Sequence, residues 1–200
     1  MIELNLNGYT DIPAGKVANI ATYLEMNKRA PDRTDHTQDL TLDHMIEPDV
    51  TRYTKILKAV GEDWLWFSRL ALDREALIDA IKTPGFEIFI LRKQTHDIGL
   101  LELDVRNKDN IELTYFGLAS KAIGTGAGRW LMNAAIARAF DHHKTKRMFV
   151  HTCTMDSPQA LPFYQQSGFI PYKRAVEIAD DPRLTGHIPR DKAGHHPIIE

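Results

Sequence analysis

The run Ile111-Glu112-Leu113-Thr114-Tyr115-Phe116-Gly117-Leu118, followed by Ile123-Gly124-Thr125-Gly126-Ala127-Gly128-Arg129, decides the fold. The first segment reads as a β-strand. The residues after the glycines read as a helix. Leu131, Ala135 and Ala139 form one i,i+4 row, and Met132, Ile136 and Phe140 form a second. Between them lies a turn whose glycines permit unusual φ angles and a close approach of backbone to a ligand. The free N–H groups of the helix's first turn, with its dipole, favour phosphate oxygens. A dinucleotide fingerprint needs glycine at 129, where Arg129 stands, and an acid about 20 residues on, where Met148, Phe149 and Val150 stand. The triphosphate loop needs Gly-Lys-Ser/Thr, which is absent. A tight strand-to-helix turn with no ligand stays open beside a phosphate site.

The elements follow outward from that turn. Arg147 to Cys153 reads as a strand, reached by a helical crossover and so parallel to the strand before the turn. A short helix over roughly 157–167 ends at Gly168, and Phe169 to Val176 is a final strand. Residues 177–200, with Pro182, Gly186, Pro189, Gly194 and Pro197, read as an extended tail, ordered only if it docks. Upstream, Phe86–Arg92 and Ile98–Val105 precede the strand at 111–118 across short polar connectors, which predicts antiparallel hairpins. Leu101, Leu103 and Val105 share one face, and Glu102 and Asp104 the other. Asp73 predicts the start of a helix that Pro84-Gly85 stops. Tyr53, Ile56, Leu57 and Val60 form a helical face that ends at Gly61. Val17–Met26 and Leu40–Ile46 read as strands, with a polar loop over 27–39 and a turn-rich stretch over 1–16. The expected fold class is α/β: a single domain over 1–176 with a mixed, mostly antiparallel sheet flanked by helices, then the tail 177–200.

Composition narrows the function classes. The 200 residues are 43% hydrophobic and 26% charged, which excludes disorder as the whole answer. A net charge of −2 argues against nucleic-acid binding by bulk charge. Cys153 is the lone cysteine, so no internal disulfide framework or cysteine-based zinc cluster is expected, and the cytoplasm is the expected compartment. No apolar run reaches the roughly 20 residues of a membrane span, and Met1–Thr10 lacks the pattern of a signal peptide. No nucleic-acid or membrane partner is expected; a homodimer is the common arrangement of soluble proteins.

The turn Ile123-Gly124-Thr125-Gly126-Ala127-Gly128 resembles the Q/R-x-x-G-x-G/A coenzyme A motif of the GCN5-related N-acetyltransferase (GNAT) family, with Ile123 in place of Gln or Arg. That family's second motif is a small polar residue, an Ala, a Tyr four residues on, then Gly-Phe. It is matched by Ser157, Ala160, Tyr164, Gly168 and Phe169. The resemblance covers roughly residues 86–175 and implies a GNAT-like N-acetyltransferase fold with acetyl-CoA as co-substrate and no metal.

The resemblance implies roles for particular residues. Backbone N–H groups of Gly124, Gly126, Gly128 and Arg129, within the segment Ile123–Arg129 that includes Thr125 and Ala127, would anchor the pyrophosphate. Backbone near Leu118 and Ala119 would bond the pantetheine arm or the thioester oxygen, and Ser157 would contact the arm. Tyr164 would donate a proton to the leaving thiolate. Glu112 stands where histone-type members of the family place a glutamate base; Glu102, Asp104 and His151 are its rivals. Trp64 and Trp66 would wall an acceptor site. The implied activity is transfer of acetyl from acetyl-CoA to an amine on a small molecule or peptide. The alternative is a non-catalytic acyl-CoA-binding module or sensor of the same fold. Cys153 reads as a core residue, His142-His143 as solvated, and His195-His196 as a metal pair lacking further ligands.

Overall fold

A computed structural model describes residues 4–200. Eleven strands and helices run in the order β1 (Lys16–Met26), β2 (Leu40–His44), α1 (Val50–Gly61), α2 (Arg74–Lys82), β3 (Phe86–Lys93), β4 (His96–Asp104), β5 (Asn110–Leu118), α3 (Ala127–Ala137), β6 (Arg147–Cys153), α4 (Ala160–Gln166) and β7 (Ile170–Asp180). The fold is a single α/β domain. Its seven-stranded sheet has the order β2-β3-β4-β5-β6-β1-β7. Every pairing is antiparallel except β5 with β6, which α3 joins by a crossover that returns the chain in the same direction.

Helix starts follow their caps. The Asp49 carboxylate accepts from the amide of Arg52 at 2.9 Å, and Asp73 accepts from Ala76 at 2.8 Å. Of the two apolar rows predicted after the glycine turn, all but the half-buried Phe140 are buried, and Ala139 and Phe140 lie beyond the end of α3. Leu131, Met132, Ala135 and Ile136 pack with Leu24, Leu101, Leu103, Ile111, Leu113, Met148, Val150 and Phe169 on one face of the sheet. Tyr53, Ile56, Leu57 and Val60 of α1, with Leu77 and Ile81 of α2, cover Ile88, Ile90 and Leu100 on the other. Burying each such aliphatic side chain contributes about 1.5–3 kcal/mol before entropy is counted. After Ala137 the chain continues as a wider turn over Arg138–His142.

Three expectations change. The last strand does not stop at Val176 but runs to Asp180, pairing with β1 down to Lys16, because β1 is long enough to offer partners that far. The segment beyond is not extended but turns around Arg183. That guanidinium pairs with Asp181 at 2.7 Å and donates to the carbonyls of Lys192, Ala193 and His196. Ile188 and Ala193 thereby join Val17, Leu65 and Met155 in a third apolar cluster. His143 is not solvated: its Nε2 lies 3.1 Å from Glu87, which Arg138 also holds.

Candidate active site

The site opens where β5 and β6 part. They pair only over Asn110–Glu112 with Arg147–Phe149. Immediately afterwards Thr114 is the extra residue of a bulge opposite Glu102/Leu103. A bulge bends its strand and increases local twist. The second half of β5 therefore stays with β4 while β6 stays with β1. A cleft of about 410 Å³ fills the gap, lined on one side by Leu113–Leu118 and on the other by Val150–Cys153.

At one end stands the glycine turn. Gly124 and Gly126 have φ of +80° and +92°, a region that side-chain-bearing residues rarely adopt. The Thr125 hydroxyl donates to Ala122 O at 2.7 Å and fixes the turn. Among the described residues the amides of Gly124, Gly126 and Gly128 have no acceptor and stand at the start of α3. Two expected donors are already committed. The Arg129 amide donates to Gly126 O at 3.0 Å, and the Ala119 amide to Ile98 O at 2.9 Å. Ala127 is buried in the core. Leu118, Ile123 and Ser157 line the cleft.

Along the cleft lie the ionisable groups. Tyr164 is buried, its ring against Phe116, Phe163 and Phe169 at 6.2, 5.9 and 6.0 Å. Its hydroxyl makes no hydrogen bond to a described residue, and burial pushes its pKa up, so the proton stays on oxygen. Glu112 faces His151, with Oε1 3.7 Å from Nδ1, an ion-pair distance rather than a hydrogen bond. Glu112 raises the pKa of His151 against the effect of burial, with Asp156 and Glu177 adding to it. Cys153 also lines the cleft; burial pushes its thiol up to about 11, which keeps it protonated.

Of the rivals of Glu112, His151 shares the cleft and the two carboxylates are elsewhere. Glu102 is fully buried below the floor, accepting from Tyr53 at 2.9 Å and from Arg69 at 2.6 Å. Asp104 is held by Arg106 through bonds of 2.9 and 3.0 Å at the hairpin end. Both carboxylates have partners and neither lines the cleft.

Trp64 and Trp66 both line the far wall. A Cβ on Gly117 would come within 3.1 Å of the Trp66 ring and 2.3 Å of Val60, so only glycine lets the indole lie across β5. Leu65, at φ +55°, turns the chain so that its own side chain enters the third cluster between the two tryptophans. Trp66 Nε1 donates to Asp156 at 2.8 Å, and Asp156 also accepts from Thr152 at 2.7 Å and the Cys153 amide at 2.8 Å. His195 lies edge-on to Trp64 at 5.3 Å, and among the described residues no three metal-ligating side chains gather around it.

A profile of the Acetyltransferase (GNAT) family matches residues 53–169, more than half of the chain. The protein belongs to the GNAT family.

Solved structures agree on the GNAT fold. A functionally unknown conserved protein of Staphylococcus epidermidis ATCC 12228 superposes with a TM-score of 0.62 at 13% identity, over 84% of this chain and 64% of its own. A GCN5-related N-acetyltransferase of Sphaerobacter thermophilus gives 0.59 at 11%, over 82% and 52%. A GNAT family acetyltransferase of Elizabethkingia anophelis with acetyl-CoA bound gives 0.52 at 19%, over 68% and 80%. The chain thus spans less than two thirds of the first two proteins' lengths. At these identities the likeness is one of fold. No curated protein matches the chain.

Several residues of this GNAT cleft carry no local sequence signal. Asn19 and Glu177 come from β1 and β7, and Asp156 from the loop after β6. Beside the glycine turn, Arg33 of the β1–β2 loop is tied to α3: its amide donates to Asn133 Oδ1 at 3.0 Å, and its carbonyl accepts from Asn133 Nδ2 at 2.8 Å. Burial lowers the pKa of Arg33, with the charge of nearby Arg129 adding, so the two cations form one positive patch. Nothing in the local sequence pointed to Asn19 or Arg33, because their partners are supplied by chain far away.

Proposed function

We propose that the protein transfers the acetyl group of acetyl-CoA to an amine by direct attack on the thioester, in the reducing compartment that the free Cys153 thiol suits. The observation that carries this reading is the cleft between the parted strands, with free glycine amides at one end and Tyr164, Glu112 and His151 along it. The amides of Gly124, Gly126 and Gly128 and the Arg33–Arg129 patch hold the pyrophosphate. The pantetheine arm runs between β5 and β6 past Leu118 and Ser157, and brings the thioester between Tyr164 and Glu112.

An amine is mostly protonated near neutral pH, so it must first lose a proton. Glu112 takes it, directly or through one water. The nitrogen forms a bond to the carbonyl carbon, loses its second proton to water, and the carbon–sulfur bond breaks. The electron pair leaves on sulfur, and the Tyr164 hydroxyl donates the proton that the thiolate needs. Solvent then restores the tyrosine proton and takes the proton from Glu112. The hydroxyl enters each turnover protonated, and it donates as the carbon–sulfur bond breaks inside the cleft.

The test is release of free thiol from acetyl-CoA with a panel of amines, in wild type and Tyr164→Phe. Amine-dependent release that the variant lowers by about a hundredfold supports the reading. Acetyl-CoA binding without release for any amine returns the protein to a binding module.

A further inference from the structure

Resting on the amine reading above, we infer that the acceptor carries a second cationic amine, held on the β1–β7 side of the cleft by Asn19 and Glu177; the substrate class is a small aliphatic diamine or polyamine. The cleft has two acidic poles. One is Glu112 with His151, beside the thioester position. The other is Glu177, opposite Asn19 in the β1–β7 ladder.

The second pole is incomplete as it stands. Asn19 is 3% exposed and lines the cleft. Its Nδ2 donates to Glu177 Oε2 at 2.8 Å, which fixes the amide so that Oδ1 is left as an acceptor. That Oδ1 is buried with no hydrogen-bond partner. Buried polar atoms are nearly always paired, so an orphan acceptor beside a carboxylate in a cleft calls for a donor. An ammonium supplies three N–H donors and the opposite charge, and could satisfy Oδ1 and the carboxylate together. An anion or a neutral acceptor group could satisfy neither.

Asp156 adds negative charge to the cleft, but Trp66, Thr152 and the Cys153 amide already bond its oxygens, which leaves it less free to hold an ammonium directly. It sets the Trp66 indole as an apolar wall of the same cleft. Methylenes pack on such a wall, and an ammonium over an aromatic face is favoured further. A cleft of about 410 Å³, with Val17, Leu65, Met155, Ile188 and Ala193 packed beside it, suits a small molecule. Two cations joined by an aliphatic spacer match carboxylate, aromatic wall and carboxylate in turn.

The experiment compares 1,4-diaminobutane with n-butylamine, both as acetyl acceptors and as ligands of the CoA-loaded protein by calorimetry. The wild type should prefer the diamine by at least tenfold in both measurements. Glu177→Gln, at an exposed strand position, should lower that preference by at least tenfold at an unchanged melting temperature. Butylamine used as well as the diamine, or a preference that survives Glu177→Gln, overturns the second subsite while leaving acetyl transfer standing. Preferential diamine binding that Glu177→Gln abolishes, with no thiol released for any amine, supports the subsite and overturns the transfer reading instead.

Discussion

The two ends of the cleft are built differently. The coenzyme end comes almost wholly from one continuous stretch, β5 through α4, in which strand, glycine turn and helix follow each other. The acceptor end gathers Asn19, Trp64, Trp66, Glu112, His151, Asp156 and Glu177 from six separate segments. A contiguous site leaves its pattern in the sequence because its geometry is local. A gathered site is set by strand order and by which loops cross the sheet. Substitutions at the coenzyme end should therefore act on one ligand strongly, and those at the acceptor end should act weakly and through shared supports.

The largest effect belongs to Gly126→Asp. It places a carboxylate at a φ of +92° and a Cβ 2.7 Å from Thr37 Oγ1, at the mouth of the phosphate site. Strain of about 1–3 kcal/mol, with charge repulsion added, should weaken CoA binding by at least a hundredfold. Calorimetry with a folded variant checks this; undiminished affinity would place the coenzyme elsewhere and erase the contrast.

Next is Tyr164→Phe, which keeps the ring among Phe116, Phe163 and Phe169 and removes only the hydroxyl. kcat should fall by about 10²-fold with melting temperature and acetyl-CoA binding nearly unchanged. A value within about twofold of wild type would make Tyr164 a packing residue, with solvent as the proton source.

Glu112→Gln comes third and crosses the divide between the ends. kcat should fall by about tenfold or more near neutral pH and recover at higher pH as the free amine forms. Imidazole titration by NMR should show the His151 pKa falling toward its ordinary value, since Glu112 is the largest cause of its rise. A folded-state pKa raised in this way stabilises the fold fully below the ordinary imidazole value. That advantage over the variant is lost as pH climbs through the raised value. A His151 titration unchanged in the variant would separate the two residues.

The smallest effect should come from His195→Ala, which removes an exposed ring lying against Trp64 and His196 and its long contact with Met155 O. KM for the acceptor should rise by about two- to fivefold, corresponding to roughly 0.5–1 kcal/mol, with KM for acetyl-CoA unchanged. Equal changes in both constants would show that the C-terminal segment supports the whole cleft rather than its acceptor wall.

Legibility in the sequence followed the same divide. The hairpins β3–β4–β5, the parallel β6 and the helix rows of α3 were all readable, since period and turn chemistry fix them over a few residues. The carboxylates were not separable from one another. Glu102 and Glu112 sit alike on the strand pattern, yet Tyr53 and Arg69 bury and pair the first while the bulge at Thr114 leaves the second facing the cleft. Arg129 and Ala119 looked like free amide donors because a motif does not show which carbonyls come near. The solvated reading of His143 failed because Glu87 reaches it from another strand.

The sequence by itself determined the elements, their order, the single parallel pairing and the glycine turn at a helix start. Each depends on local torsional preference and on one- or two-turn periodicity. Tertiary structure alone decided that β7 would extend to Asp180, that the segment around Arg183 would fold against Leu65 and Met155, and that Asn19 and Glu177 would meet. The contacts of Asp180 with Lys16, of Glu177 with Asn19 and of Ile188 with Leu65 join residues more than a hundred positions apart. Their energy exists only once the sheet is assembled, because each partner's desolvation is offset only by the other.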